Sequence, residues 1–339
     1  MRSVSGTLET AQTAAFRTPY IHLLFTSHDE LTTYDLSTDS PAYGNRILLI
    51  DHFEEPYNDY ATIVFRNYDG GLPTDLRGYW VEIGYGDVTG GGNEYSDTPR
   101  LWVKHHQVVS AGGKYLTVLE LEGMWMKMQE TLLRIGSPPY YTEEYTGDTV
   151  YDLIVILLAE VSPAFTLAAL VEDDGIINSY APVFSINDVQ PFEDAASATY
   201  RLIKMTKSYL RAKASLEFEV KYPQVSDPVN ATYFTNQFYE YTNRNNLVVP
   251  NHIYVFANAG ADELWTDIIT AEATVPGDTY DDTPNIVLAP EITTQEDADN
   301  RADAIVARLA AEDQSGRLII PHNCQHELYD YVRVMDSRV

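Results

Sequence analysis

The segment RLWVKHHQVVSAGGKYLTVLELEG, residues 100–123, decides the fold class. Its halves, RLWVKHHQVV (100–109) and KYLTVLELEG (114–123), are rich in β-branched and aromatic residues. Between them stands Gly112-Gly113, a pair that accepts the positive φ of a tight or bulged turn, so the segment reads as a β-hairpin. The same texture recurs upstream in YIHLLF (20–25), NRILLIDHF (45–53), YATIVFRN (60–67) and YWVEIGYG (79–86), with Asp69-Gly70-Gly71 and Gly90-Gly91-Gly92 as separators. Six short strands at this spacing predict a small antiparallel barrel or sandwich over residues 1–123.

The pattern changes after Gly123. GMWMKMQETLLRIG has apolar residues at helical spacing, with Met126, Leu132 and Leu133 as the expected inward stripe. Thr149 followed by Asp152 has the form of a capping box, and VYDLIVILLAEV behind it is apolar nearly all round, which predicts a buried helix. PFEDAASATYRLIKMTKSYLRAK places Ala195, Ala198, Leu202, Met205 and Tyr209 three and four apart, the stripe of an amphipathic helix. Residues 124–213 therefore read as a helical and irregular insertion.

Strands return over 214–339: SLEFEVKY (215–222), ATYFTNQFYEY (231–241), NNLVVPNHIYVFAN (245–258), with a break or bulge at Pro250-Asn251, and LWTDIITAEAT (264–274). Thr293 with Glu296 is expected to cap a last helix at about 294–315, its Ala302, Ile305, Val306 and Leu309 facing a core and Gly316 marking its end. RLIIPHN and LYDYVRVMD supply two closing strands, the second returning after a turn at 322–326. The fold class is thus mainly β with inserted helices, an α+β chain whose two halves each associate strands with a helix that could lie across a barrel.

At 339 residues the chain exceeds what one ordinary core covers, and 45% apolar residues, with 25 Tyr, supply buried surface without staples. The single cysteine, Cys324, excludes an internal disulfide. No apolar run follows the early Arg2, and the most apolar window, 150–171, is broken by Asp152, Glu160, Ser162 and Pro163. Neither a signal peptide nor a membrane span is expected, and the chain is expected to be made in a cytoplasm. Fifty acidic residues against 22 Lys and Arg give a net charge of −28, which disfavours broad nucleic-acid binding because affinity for phosphates comes from basic residues displacing counterions.

Several residues were candidates for chemistry. His322, Cys324 and His326 stand at alternate positions, but a straight strand spreads them over about 13 Å at ~3.3 Å per residue, poor geometry for a tetrahedral metal. A turn is the simpler reading. His105 and His106 are adjacent in a strand and point to opposite faces, so they cannot share a ligand. Glu143-Glu144, Asp173-Asp174 and Asp281-Asp282 are adjacent acids in a chain holding fifty, whereas sugar-cleaving carboxylates come from separate strands. GYGDVTGGG (84–92) lacks the lysine of a phosphate loop, and hairpin flexibility explains its glycines. Asn230-Ala231-Thr232 matches a glycosylation signal but has no secretory context. No catalytic, cofactor-binding or metal residue is expected.

In order along the chain, LETAQTAAFRTPYIHLLF, VEIGYGDVTG, LWVKHHQVVSAGGKYLTVLELEG, YTGDTVYDLIVILLAEV, NNLVVPNHIYVFAN and DADNRADAIVARLAAEDQSGRLIIPHNCQHELYDYVRVMD together resemble tail-hub proteins of tailed bacteriophages, the baseplate-hub and late-control D-type group. The resemblance rests on order and spacing across nearly the whole chain. It implies two tail-tube-like barrels with helical insertions, assembled as a homotrimer whose six barrels ring the tail channel. It further implies a place in the virion tail between the tail tube and a central spike or fibre, with the distal tail protein and tape measure protein as neighbours and DNA only in transit. Such hubs are structural and carry no catalytic residues. The acidity then acquires a use, since inward carboxylates repel DNA over roughly a Debye length of ~8 Å. A cell-wall or polysaccharide hydrolase on a β-scaffold and a glycan-binding tail module are the alternatives; a ring-forming trimer separates the first reading from both.

Overall fold

Residues 19–122 form one eight-stranded sheet. Its strands are β1 (Pro19–His22), β2 (Leu24–Thr26), β3 (Thr33–Asp35), β4 (Ile47–Glu55), β5 (Asn58–Arg66), β6 (Trp80–Thr89), β7 (Gly92–Ala111) and β8 (Lys114–Glu122), preceded by helix α1 (Gly6–Thr13). Seven run in the order β3-β2-β6-β7-β8-β5-β4, and β1 also pairs with β6. The computed structural model describes residues 1–135, 142–187, 192–224, 226–245, 248–258, 268–277, 281–289, 292, 294–311 and 314–338. The chain divides into two units. The first takes Met1–Met128, Arg211–Glu219 and His322–Asp330; the second takes Gln129–Leu210, Val220–Pro321 and Tyr331–Val339.

The expected hairpin is present: Ala111 faces Lys114 across Gly112 and Gly113, whose φ values are +57° and +74°. The other four predicted runs also form strands, YIHLLF being split at Leu23 into β1 and β2, while the three-residue β3 has no counterpart among them. Neighbouring strands lie about 4.8 Å apart, so Phe25 on β2 and Phe65 on β5, four steps away in the sheet order, would be ~19 Å apart were the sheet flat. Their rings are 6.4 Å apart. The sheet therefore curls around one core, in which Leu23, Phe25, Ile63, Phe65, Ile83, Leu101 and Leu119 are fully buried. No ladder joins the end strands β3 and β4, so the curled sheet is not a closed barrel.

The glycines of GYGDVTGGG act in two ways. Gly90–Gly92 serve the β6–β7 turn, with Gly92 at φ +118°. Gly84 and Gly86 lie inside β6, where a Cβ on Gly86 would stand 1.8 Å from the Glu94 carbonyl oxygen and one on Gly84 2.6 Å from the Tyr95 ring. Close approach, not hairpin flexibility, requires these two.

Beyond the sheet, α2 (Met124–Gln129) stops after six residues and buries Met124, Trp125 and Met128. The expected stripe of Met126, Leu132 and Leu133 is therefore wrong except at buried Leu133; Leu132 is exposed and bridges Asp194. In the second unit β9 (Glu143–Tyr145) precedes α3 (Val150–Ala159), whose capping box between Thr149 and Asp152 is as the sequence predicts. After β10 (Thr166–Leu167) and β11 (Phe184–Ile186) comes α4 (Ala195–Ile203), which buries Ala195, Ala198 and Leu202 but ends ten residues before the predicted limit of 213. Met205 and Tyr209 leave the stripe, and Tyr209 opens β12 (Tyr209–Lys213), followed by β13 (Glu217–Lys221). The cause lies far along the chain: Arg308 donates to the carbonyls of Ile203, Thr206 and Ser208, and Arg301 to that of Lys204, so these acceptors are satisfied outside a helix.

The remaining strands form small sheets. β14 (Ala231–Phe234) pairs in parallel with β20 (Val332–Met335), and β15 (Glu240–Asn245) pairs antiparallel with β19 (Gln314–Ile319). β16 (His252–Asn258) lies between antiparallel β17 (Ile268–Thr274) and parallel β18 (Pro284–Ala289). Helix α5 (Gln295–Ala311) covers one face of that last sheet, where Ala298, Ala302 and Val306 meet Ile253, Val255 and Ala257, with Ile305 and Leu309 packed at the side. Thr293 lies outside the described residues, and Thr294 instead accepts from Asp297 N at the helix start. Gly316 does not end this helix. It sits in β19, where a Cβ would come 2.3 Å from Thr242 O. The last two strands do not return onto one another, because each has a different partner.

Candidate assembly surface

Strand β4 is an end of the curled sheet, with one side paired to β5 and the other open. Its sequence, ILLIDHFEE, alternates: Ile47, Ile50, His52 and Glu54 are half-buried, while Leu49, Asp51, Phe53 and Glu55 face outward. A bulge between Ile47 and Leu49 turns Leu48 out as well. Leu48 is 46% exposed and Leu49 53%, an apolar pair on an unpaired edge. Edges of this kind are sites of strand association unless charged or covered.

A groove of about 460 Å³ runs beside these leucines, lined by Arg17, Ile21, the Ile47–Ile50 run, Tyr85 and His322. Its floor is fixed by polar contacts. Arg17 forms a two-point ion pair with fully buried Asp87, at 2.8 and 3.3 Å, and donates to the His322 carbonyl at 3.1 Å. The Tyr85 hydroxyl lies 3.2 Å from His52 Nδ1, and the His322 ring packs on Tyr85 at 4.5 Å. Burial, with Arg2 nearby, pushes the His52 pKa down to about 4, so the imidazole is neutral at physiological pH. Arg2 itself grips both oxygens of Glu54 at 2.6 Å.

The segment His322–Asp330 completes this side of the first unit. Arg211, 4% exposed, pairs with Glu219 at 2.7 Å, Glu327 at 3.4 Å and Asp330 at 3.5 Å, and donates to Leu328 O. Such a buried cation is costly to leave unpaired, so these acids fix where the segment lies.

His322, Cys324 and His326 do not converge. His322 faces Tyr85; Cys324 is buried and its Sγ accepts from Gln12 Nε2 at 2.7 Å; His326 Nδ1 stands 3.9 Å from Asp330. Among the described residues no three His, Cys, Asp or Glu side chains are grouped to hold a metal ion. His105 is exposed, and His106 on the other face accepts from Leu76 N. Asp174 organises its own loop, accepting from Ile176 N, Ile177 N, Lys207 N and Ser208 Oγ. Asn230 is engaged with the backbone of Tyr331. No helix among the described residues is long and apolar enough to cross a membrane.

The run NRILLI marks the β4 edge in the sequence, whereas the ion pairs on this side join residues 52, 70 and more than 100 positions apart and leave no local signal. The second run of that kind, NLVV, lies partly outside the described residues; its Val249 is 51% exposed.

No protein-family model matches the chain, and no curated protein matches it. Solved structures do, two of them over most of both chains. One is the tail protein from Neisseria meningitidis MC58, with a TM-score of 0.61 and 12% identity, over 95% of this chain and 87% of that one. The other is the 43 kDa tail protein of prophage MuSo2 from Shewanella oneidensis, with a TM-score of 0.61 and 14% identity, over 94% and 89%. At these identities the likeness is one of fold: over nearly its whole length, the chain is folded like these two tail proteins, the second of them from a prophage.

Proposed function

We propose that the chain is a structural hub subunit of a phage tail tip or baseplate, and that three copies form a pseudo-hexameric ring joining the tail tube to a central spike or fibre around the DNA channel. The observation that carries this reading is the open β4 edge with Leu48 and Leu49 exposed beside a preformed groove, on a chain folded like phage tail proteins. A neighbouring copy seated there would bury what remains exposed of both leucines, about half of each side chain and so roughly 1–1.5 kcal/mol each, and cyclic symmetry would close the array.

In this reading residues 1–123 supply one barrel-like body, 124–213 the insertion and 214–339 the second body. The role is mechanical, with no catalytic residue, cofactor or metal. The partners are further copies of the chain, the tail tube protein, the distal tail protein, the tape measure protein and the spike or fibre. The acidic residues would be concentrated on the channel wall, where they keep DNA from sticking. The test is sedimentation of the wild type beside Leu49→Glu, which places a charge on the open edge without touching the core. The wild type is expected to sediment as a trimer and the variant as a folded monomer. A wild type that stays monomeric over a wide concentration range and is absent from purified tails overturns the reading.

A further inference from the structure

His252 opens β16, the central strand of its sheet, and both of its ring nitrogens face a carboxylate oxygen. Nδ1 lies 2.8 Å from Asp282 Oδ1, in the segment that enters β18, and Nε2 lies 2.7 Å from Glu272 Oε1 on β17. A neutral imidazole has one N–H and one lone pair, so it can donate to one carboxylate while turning its lone pair on the other. Only the doubly protonated ring donates to both. The geometry thus selects a charged histidine that ties β16 to a strand on each side.

The surroundings favour that charge. The ring stacks on Tyr254 at 4.3 Å, two residues along the same face, and a cation over an aromatic face is favourable. Burial lowers the ring's pKa, but the hydrogen bonds to Asp282 and Glu272 outweigh it and the net shift is upward. Among the described residues, Glu272, Asp282 and Tyr254 are the ionisable groups that face the ring. Helix α5 lies on the opposite face, against Ile253 and Val255.

Next to His252, Asn251 ties down the same end of the sheet. Its side chain donates to Asp281 O at 3.2 Å and accepts from Thr283 N at 2.7 Å. The entry to β18 is therefore tied by two adjacent side chains, one neutral and one titratable, beside the backbone bond from Asn251 N to Thr283 O. β18 itself exposes Ile286 and Leu288, at 60% and 67%, and packs on the core through Val287 and Ala289.

We propose that His252 is a proton-operated latch: doubly protonated, it fastens β17 and β18 to β16, and loss of one proton releases the Asp282 side, loosening β18. Because the folded-state pKa lies above the ordinary value, the stabilisation is fully present below about pH 6.5 and is lost as the pH rises through the folded pKa.

The test is NMR titration of the full chain carrying [¹³Cε1]-histidine, with His252→Gln to assign its signal among the eight histidines, together with hydrogen exchange of residues 285–289 from pH 6 to 9. His252 is expected to titrate above 6.5, and Glu272→Gln and Asp282→Asn are each expected to lower its pKa. Both acids are more than half exposed, so these variants fold even if His252→Gln does not. Exchange in β18, corrected for the intrinsic effect of pH, should rise by up to ~10-fold per pH unit through the transition in the wild type and change little with pH in His252→Gln. A His252 that titrates at or below 6.5 overturns the proposal. So does β18 exchange with the same pH dependence in wild type and variant.

Discussion

Gly86→Ala is the sharpest test of the curled sheet. Gly86 faces Tyr95 of β7 on one side and Tyr20 of β1 on the other, so β6 has no free side onto which it can shift. The new Cβ would lie 1.8 Å from Glu94 O and 2.6 Å from Tyr95 Cα, both backbone atoms that cannot rotate away. Relief to an ordinary carbon–oxygen contact of ~3.3 Å needs a movement of about 1.5 Å. That movement breaks two or three ladder hydrogen bonds at ~1 kcal/mol each and adds ~1–2 kcal/mol of overpacking strain, so the expected loss is roughly 3–5 kcal/mol. Gly90→Ala is the control, since nothing lies within 4 Å of its Cβ and its φ is not positive; its effect should be within ~0.5 kcal/mol. Urea unfolding followed by tryptophan emission reads the site directly, because Trp80 and Trp102 face one another across β6 and β7. A Gly86→Ala protein within ~1 kcal/mol of Gly90→Ala would refute the close approach and, with it, the reason for glycine in the middle of the strand.

Further outcomes follow from buried groups. His52 is neutral in the fold with a pKa of about 4, against 6.5 unfolded, so its contribution of up to about 3 kcal/mol is present at neutral pH and lost as the pH falls from 6.5 to 4; His52→Gln should flatten that part of the stability curve. Asp59 has the opposite sign: burial, with Glu54 nearby, raises its pKa to about 7, so its stabilisation is complete below about 3.8 and lost by pH 7, and Asp59→Asn should raise the unfolding midpoint at pH 8 but not at pH 4. Cys324→Ser should cost ~1 kcal/mol for the weakened fit against Gln12, while oligomer mass and metal content stay as in the wild type. Loss of bound zinc together with assembly would contradict that.

Local chemistry made part of this fold legible. Gly112-Gly113, the Thr149–Asp152 capping box and the Ala302–Leu309 stripe each act within a few residues, and each is where the sequence places it. What was missed depends on distant partners. The end of α4 is set by arginines about 100 residues later, Gly86 and Gly316 are glycine because another backbone passes too close, and Gly84 because the side chains of Tyr95 and His22 do. The closing strands looked like a hairpin because they are sequence neighbours, yet β15 and β14 claim them separately. The candidate surface was half legible. NRILLI announces an apolar edge, but the curl that brings Tyr85 of β6 under β4, and the arginines that hold the groove, are tertiary.

The central claim is the ring, and imaging the isolated protein beside purified tails by electron microscopy tests it most directly. The expected result is a threefold particle of six barrel-like bodies around an open centre, matched by a ring at the tail tip with the chain's antibody bound there. Isolated single copies with no central opening, together with tails that carry none of the chain, would contradict it.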